Sequence, residues 1–219
     1  FVHTSALLKT CAVDLSKICN DLRLLSSGPH AGLGEINLPP RQNGSSIMPG
    51  KINPVIPEVV NQVAFNVIGN DVTVTMAAEA GQLELNAFEP VIFYKIFESM
   101  DTLKGAVATL RENCIEGITA NREHCRKMVE SSPALATALS PNLGYKRAAE
   151  IAKRSLKTGV SVRQIVLEEG WMTEDQLNRC LDVKDMTQPG HLVEYAKVMP
   201  AEEELEKKGE TEKEKGDKA

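Results

Sequence analysis

The chain has 219 residues, a net charge of −5 and 42% hydrophobic residues, a composition typical of a globular protein. Residues 200–219 carry eight acidic residues and five lysines, so the rest of the chain is close to neutral. This balance excludes a strongly basic surface for nucleic acid, and no apolar run approaches the ~20 residues that a membrane span needs.

The chemistry-bearing residues outside the main motif form no metal-ligand pattern. The four histidines show no i, i+4 pair, and the five cysteines are scattered without a CxxC pair. We therefore expect a reduced, cytoplasmic setting with no metal and no cofactor. Because a helical pattern is already under way at Phe1, we also expect the chain to be a piece of a longer protein.

Residues 4–27 predict a long helix that ends at Gly28. Its apolar residues recur in alternating steps of three and four, a heptad seam typical of helices packed side by side. The predicted seam consists of Leu8, Cys11, Leu15, Ile18, Leu22 and Leu25. We interpret Cys11 and Cys19 as packing residues of this helix.

Two further long helices follow. Asn53 is a good N-cap and Pro54 suits the first helical position, so a helix is predicted to begin there. Its apolar residues are too many for one stripe, which predicts a helix surrounded by others. After a predicted cap at Asn86, a second heptad seam runs through Phe93, Ile96, Met100, Leu103, Val107, Leu110 and Cys114. Three such helices cannot bury themselves alone, which predicts a bundle shared between subunits.

After Gly117 the predicted helices become short, near residues 122–130, 145–157, 162–169 and 174–181. Two of them begin with capping-box patterns, Ser161…Gln164 and Thr173…Gln176. No stretch has a β-strand period. The predicted fold class is therefore all-α. A long-helix bundle segment over 1–118 precedes a small helical C-terminal domain over 119–190 and a charged, disordered tail over 191–219.

The irregular segment at residues 28–53 is unusually long for a helical chain, and such segments are functional or disordered. Residues 44–54 within it read GSSIMPGKINP. The run has no Walker-type GxxxxGK[ST] pattern and no GxSxG elbow after a strand, so a phosphate loop and a catalytic triad are both disfavoured.

Three features of this run favour binding of an anion. The helix that follows Asn53 directs its positive dipole end and free backbone N–H groups toward the loop. Lys51 adds a full charge beside that terminus, and Gly44 and Gly50 allow close backbone approach. The ligand suggested is a carboxylate or a phosphate. On these grounds alone, a plain structural loop and a serine acting as a base remain alternatives.

The run at residues 44–54 resembles the signature GSSxMPxKxNP of the fumarase/aspartase superfamily. The flanking residues 15–29 and 34–39 extend the likeness upstream. Downstream, residues 54–63 and 76–86 are more similar to the aspartase branch than to the fumarase branch.

This resemblance implies reversible elimination of ammonia from L-aspartate to give fumarate. The first serine of the signature, Ser45, corresponds to the base that removes the proton beside a carboxylate. Ser46, Lys51 and Asn53 correspond to residues that bind the substrate carboxylates and the aci-carboxylate intermediate. Glu58 corresponds to a glutamate that orients a histidine from another segment. Asn53 thus has two interpretations, helix cap and ligand contact, which are compatible only in part.

The resemblance covers residues 1–190 and implies a homotetramer whose active sites combine segments from three subunits. The N-terminal domain of the family and the segment with the histidine are not in this chain, and His30 replaces the usual arginine. We therefore expect the isolated chain to be inactive. The alternatives are a fumarate hydratase, or a non-catalytic truncated subunit that acts only in assembly.

Overall fold

The computed structural model describes residues 1–28, 30–42, 48 and 52–188. The chain forms two compact units, Phe1–Arg122 and Glu123–Ala219. The prediction of an all-α chain, with long helices followed by a helical C-terminal region, is confirmed. The tail predicted over residues 191–219 lies outside the described residues.

Three long helices build the first unit: α1 at Val2–Leu25, α2 at Val55–Glu79 and α3 at Glu89–Asn113. Helix α2 packs along its length against both α1 and α3, which touch each other only slightly. The central position of α2 agrees with its many apolar residues. At the α2–α3 connection, the Asn86 amide donates to Ala77 O at 2.9 Å and its Oδ1 accepts from Phe88 N–H at 2.7 Å.

The predicted seam of α1 is wrong by one position in two places. Ala12 and Cys19 are completely buried, whereas their neighbours Cys11 and Ile18 are exposed. The apolar contacts of α1 therefore run through Leu8, Ala12, Leu15, Cys19 and Leu22. This set keeps steps of four and three. At two positions the buried residue is the smaller one, Ala12 or Cys19, in place of its larger neighbour, Cys11 or Ile18.

The seam of α3 shows the same kind of error. Its buried residues are Ile92, Ile96, Ser99, Leu103, Ala106 and Leu110, whereas Phe93, Met100 and Val107 are exposed. Two of the buried residues, Ser99 and Ala106, are small and let neighbouring helices approach closely. Their bulkier neighbours Met100 and Val107 then lie to one side of the contact. Sequence periodicity alone favoured the bulkier residue each time.

The first unit also leaves large apolar side chains exposed. Members of α2 on this surface are Phe65, Val72 and Met76, at 61%, 57% and 66% exposure. A groove of about 460 Å³ between α1 and α3 is lined by side chains that include Cys11, Met100 and Val107. Exposed apolar patches are a common feature of protein–protein interaction surfaces.

A buried carboxylate links α1 to α2. Asp71 Oδ1 accepts from Ser5 Oγ at 2.8 Å, and Asp71 Oδ2 lies 2.5 Å from Lys9 Nζ. The Asp71 side chain is only 7% exposed. Burial acts to raise the pKa of Asp71, but the hydrogen bonds from Lys9 and Ser5 together with the Lys9 charge outweigh it and hold the pKa below its ordinary value.

A short strand pair joins the irregular segment to the end of the bundle. Strand β1 at Ile36–Asn37 pairs antiparallel with β2 at Thr119–Ala120, and Ile36 lies opposite Ala120. Each strand has two residues, too few for the alternation by which a strand is recognised in sequence. A 3₁₀ turn at Ile115–Gly117 connects α3 to β2.

The described part of the second unit has five α-helices: α4 at Arg122–Glu130, α5 at Ala136–Thr158, α6 at Val162–Glu168, α7 at Glu174–Cys180 and α8 at Val183–Met186. All four helices predicted here are present. The start of α5 was missed because it carries Pro141 and is interrupted at Gly144, where φ is 78° and ψ is 158°. The core of the unit comprises Ala136, Leu139, Leu143, Ile151, Val162, Ile165, Val166, Met172, Leu177, Cys180 and Leu181.

Of the two predicted capping boxes, one is complete. At α7 the Thr173 side chain accepts from Gln176 N–H, and the Gln176 side chain accepts from Thr173 N–H. At α6 Ser161 accepts from Gln164 N–H, but the Gln164 amide donates to Glu168 instead, at 3.0 Å. Across the described ranges, no helix is both long enough and apolar enough to cross a membrane.

The shifted seam of α1 predicts opposite outcomes at adjacent positions. Because Ala12 is fully buried against α2, Ala12→Leu adds three carbon atoms to a filled contact and should lower the free energy of unfolding by about 1–3 kcal/mol. Cys11→Leu, on the exposed face, should change it by less than about 0.5 kcal/mol. Denaturant unfolding followed by circular dichroism measures both. Equal losses in the two variants would contradict the observed seam.

Candidate active site

The predicted site residues fall into two groups. Ser45, Ser46 and Lys51 lie outside the described residues. Asn53 and Glu58 are described, at the start of α2. The structure therefore describes the two flanks of the signature and the elements that hold them.

The start of α2 differs from the prediction. Its N-cap residue is Pro54 rather than Asn53, and no side-chain hydrogen bond caps the helix. The Asn53 backbone carbonyl accepts from Val55 N–H at 2.9 Å, and the first regular helical bond runs from Glu58 N–H to Pro54 O at 3.1 Å. The predicted cap role of Asn53 is wrong. Its competition with a ligand-contact role is thereby removed.

The helix terminus also offers fewer amides to an anion than predicted. A helix leaves its first four N–H groups without helical partners. Here Pro54 and Pro57 have no N–H, and the Val55 N–H is already bonded to Asn53 O. Within the described residues, the Ile56 N–H is the one of these four groups that remains for an anion. The dipole of the 25-residue helix is unaffected. An anion at this end therefore needs side-chain charge more than backbone donors.

Glu58 stands one turn into α2 and faces α1. Its Oε1 lies 4.0 Å from Arg23 Nη2, with both side chains about two-fifths exposed, at 40% and 42%. A pair this long and this exposed contributes little to stability. Arg23 also donates to Asn20 Oδ1 at 3.4 Å on its own helix. The pair thus holds a carboxylate near the loop without burying it.

The upstream flank is held by the residues that follow α3. Asn121 Nδ2 donates to Gly34 O at 2.7 Å, and Asn121 N–H donates to Glu35 O at 2.9 Å. Asn37 Nδ2 donates to Asn121 Oδ1 at 2.7 Å and to Thr119 Oγ1 at 3.2 Å. These bonds extend the two-residue strand pair into a fixed joint.

Arg41 closes this flank. Its Nε donates to Asn113 O at 3.1 Å and its Nη2 donates to Glu112 O at 3.3 Å. Both carbonyls belong to the last residues of α3. The guanidinium therefore caps the C-terminal end of a helix that is more than seventy residues away in sequence.

Both flanks of the signature meet at that helix end. Leu38 and Pro39 from the upstream flank, Pro54–Pro57 from the downstream flank, and Asn113 and Cys114 from the end of α3 line one small recess. Leu38 and Ile56 also pack against the cluster that contains Cys19, Val60 and Cys114. The described residues upstream and downstream of the signature thus pack against the same support.

Sequence reasoning missed Arg41, Asn121 and Arg23 as parts of this arrangement. The partners of Arg41 and Asn121 are mostly backbone carbonyls, which carry no residue-specific signal. Arg23 lies on α1 and meets Glu58 only through helix packing. Among the described residues, no group of three or more His, Cys, Asp or Glu side chains is placed to hold a metal ion.

Two family profiles match separate parts of the chain. One described as "Lyase" matches residues 1–69, and one described as "Fumarase C C-terminus" matches residues 135–188. Together with the relatives below, they show that this chain belongs to the fumarase/aspartase family of lyases. The predicted resemblance, including the preference for the aspartase branch, is confirmed.

The chain is similar to proteins named aspartate ammonia-lyase from several bacteria. It is 58% identical to the one from Pseudomonas fluorescens and 59% to the one from Pseudomonas aeruginosa, over 86% of this chain in each case. It is 55% identical to the one from Escherichia coli K12 over 87% of this chain. The chain spans about 40% of the length of these relatives.

Solved structures give the same result. A fumarate lyase:delta crystallin from Brucella melitensis, bound to cobalt, matches with a TM-score of 0.82 and 58% identity, over 86% of this chain and 41% of that one. A class II fumarase from Schistosoma mansoni matches with a TM-score of 0.78 but only 33% identity, over 85% of this chain and 39% of that one. The chain thus has the family fold and is closer in sequence to the ammonia-lyases than to this fumarase.

The buried thiol of Cys19 predicts how the free energy of unfolding depends on pH. Burial, with a smaller contribution from Cys114, raises the pKa of Cys19 from 9.0 to about 11, against the opposing charge of Arg23. A raised pKa in the folded state means that the stability contribution is complete below pH 9 and is lost as the pH rises toward 11. The free energy of unfolding should therefore fall across this range, and less steeply in Cys19→Ala.

Cys11→Ala is the matched control, because that thiol is exposed on the same helix. Its slope of unfolding free energy against pH should equal that of the parent chain. A Cys19→Ala slope equal to the parent slope would contradict the prediction.

Proposed function

We propose that this chain is the C-terminal portion of an aspartate ammonia-lyase and supplies its signature segment. The observation that carries the proposal is the complete signature at residues 44–54 in a chain 55% to 59% identical to proteins of that name. Fumarate hydratase is the weaker assignment, since the fumarase matched in structure is only 33% identical. L-aspartate is the proposed substrate, and fumarate and ammonia are the products.

In the proposed reaction, Ser45 removes a proton from the carbon beside the side-chain carboxylate of aspartate. The electron pair moves into that carboxylate to give an aci-carboxylate with two negative oxygens. The pair then returns to form the carbon–carbon double bond as the neighbouring carbon–nitrogen bond breaks and ammonia leaves. A serine hydroxyl is a weak base, so it must react as an alkoxide held by nearby positive charge in a dry site.

The remaining signature residues are proposed to hold the two carboxylates. Lys51 supplies the full positive charge, which gains importance because Pro54 and Pro57 have no N–H and the Val55 N–H is bonded to Asn53 O. Ser46 and Asn53 are proposed as hydrogen-bond donors to the substrate. The Asn53 side chain is not engaged as a helix cap, which supports this role.

Glu58 is proposed to orient a histidine supplied by another segment of the assembled enzyme. Within the described residues its charged partner is Arg23, at 4.0 Å. A separation of this length leaves the carboxylate able to accept a hydrogen bond from an incoming imidazole. Arg23 would then remain beside it as a counter-charge.

A chimera tests the proposed reaction. The chain alone should not convert aspartate. A protein that joins the N-terminal part of the Pseudomonas fluorescens relative to this chain, in place of its matched region, should release fumarate from aspartate, measured by its ultraviolet absorbance. Ser45→Ala should reduce this rate by about 10³-fold or more, because removing a member of a catalytic unit has effects of that size.

Three results would separate the alternatives. Water loss from malate without ammonia release from aspartate would favour a fumarate hydratase. An assembled chimera with neither activity would favour a subunit that acts only in assembly. Full activity of the isolated chain would contradict the requirement for a further segment.

We also propose a homotetramer in which the exposed apolar faces of α1, α2 and α3 pack against other subunits. Phe65 and Met76 are the most exposed apolar residues of α2, at 61% and 66%. A charged residue at such a position costs free energy only if the surface is covered.

Phe65→Glu in the chimera should therefore shift the oligomer toward smaller species in analytical ultracentrifugation. Tyr145→Glu is the matched control, since Tyr145 is an exposed aromatic residue, at 81%, in the second unit. A Phe65→Glu chimera that sediments as the parent does would contradict the proposal.

A further inference from the structure

We propose that Arg41 is a positioning residue for the elimination reaction, because it anchors the chain that leads to Ser45 on the C-terminal end of α3. The inference rests on the proposed function. It concerns how the base is held in place rather than which reaction the base performs. None of the atoms involved is assigned a role by the signature itself.

The C-terminal end of α3 is a natural anchor for a cation. A helix leaves its last four carbonyls without partners inside the helix and carries partial negative charge there. An arginine near this end can hydrogen-bond those carbonyls and interact favourably with the dipole. Arg41 does both, through Asn113 O at 3.1 Å and Glu112 O at 3.3 Å. Its planar guanidinium presents two nitrogen donors in a fixed geometry to two adjacent carbonyls, whereas a lysine offers its donors from one nitrogen on a flexible stem.

Close packing beside Arg41 restricts the same stretch of chain. A Cβ atom built on Gly117 would lie 2.4 Å from Pro39 Cγ, so the Pro39 ring rests directly on the Gly117 backbone. Two residues upstream, Asn37 is bonded to Asn121 and Thr119. Contacts on one side therefore specify the path of the chain from Asn37 to Arg41, and Arg41 makes the last of these contacts within the described residues.

The two flanks have different anchors. The downstream flank is held by α2 itself, since Glu58 N–H donates to Pro54 O and Ile56 packs in the cluster with Cys19 and Cys114. Leu38 of the upstream flank packs against the same cluster, but the polar anchors of this flank are the β2 contacts and Arg41, which is nearer to Ser45 in sequence. Ser45 follows Arg41 by four residues, whereas Asn53 directly precedes Pro54. Loss of Arg41 should therefore displace Ser45, and Ser46 beside it, more than Asn53, so the base is affected more than the downstream part of the carboxylate site.

This asymmetry predicts a kinetic signature. Misplacement of a reacting group by about 1 Å can cost on the order of 10²-fold in rate. Arg41→Ala in the chimera should lower kcat by about 10-fold to 100-fold, while KM for aspartate changes by less than about threefold. Arg41→Lys should retain an intermediate kcat, because it keeps the charge but replaces the rigid two-nitrogen fork with one nitrogen on a flexible stem.

Arg111→Ala is the matched control. Arg111 belongs to the last turn of the same helix but is exposed, and it pairs with Glu112 and Glu116 rather than with the signature flank. It removes the same type of side chain from the same end of α3. Its kcat and KM should remain close to those of the parent chimera.

A second measurement does not depend on activity. Hydrogen–deuterium exchange of peptides covering residues 34–42 should be faster in the Arg41→Ala chimera than in the Arg111→Ala chimera. Equal exchange in the two, or equal kcat, would overturn the inference. A lowered melting temperature with unchanged kcat would also overturn it, since Arg41 would then be structural only.

The two proposals fail in different ways. If the parent chimera releases no fumarate from aspartate, the proposed function fails. The exchange comparison then still decides whether Arg41 anchors this flank. If the parent is active and both arginine variants match it, only the positioning role of Arg41 is overturned.

Discussion

The close packing of α2 between α1 and α3 is the constraint on which the rest of the first unit depends. It is made possible by small buried side chains, among them Ala12 on α1, Ala64 on α2 and Ala106 on α3. Helix axes approach more closely where such residues meet. The bulky neighbours of these residues are then displaced to the outside of the contact, which creates both the tight interior and the apolar exterior of the unit.

The same packing brings the start of α2 to the end of α3. After α1, the irregular segment contacts the end of α3 through Arg41 and the β1–β2 pair, and α2 begins after Pro54. Its two flanks therefore pack against the same support, the end of α3 and the cluster that contains Cys114. The proposed role of Ser45 as a weak base would require such support, because catalysis depends steeply on geometry.

Charge placement around the start of α2 follows from the prolines that shape it. Pro54 and Pro57 stiffen the entry into the helix but remove two N–H groups that an anion would otherwise use. In the proposed function, positive side chains supply the binding charge, and Lys51 is the signature residue able to do so. The Arg23–Glu58 pair is about two-fifths exposed, which is consistent with the exchange of partners proposed for Glu58.

The sequence by itself determined the helical class, the order of the long and short helices and the identity of the signature, because periodicity, caps and a specific motif are local properties. It also determined the family, which the signature and its flanks carry. Only the tertiary structure decided which face of α1 and α3 is buried. Ala12 is buried and Cys11 exposed, and Ser99 is buried and Met100 exposed, because close packing selects the smaller residue of each pair rather than the more hydrophobic one. It likewise decided the hydrogen-bond partners of Arg41, because a bond to a distant backbone carbonyl has no residue-specific signal in the sequence.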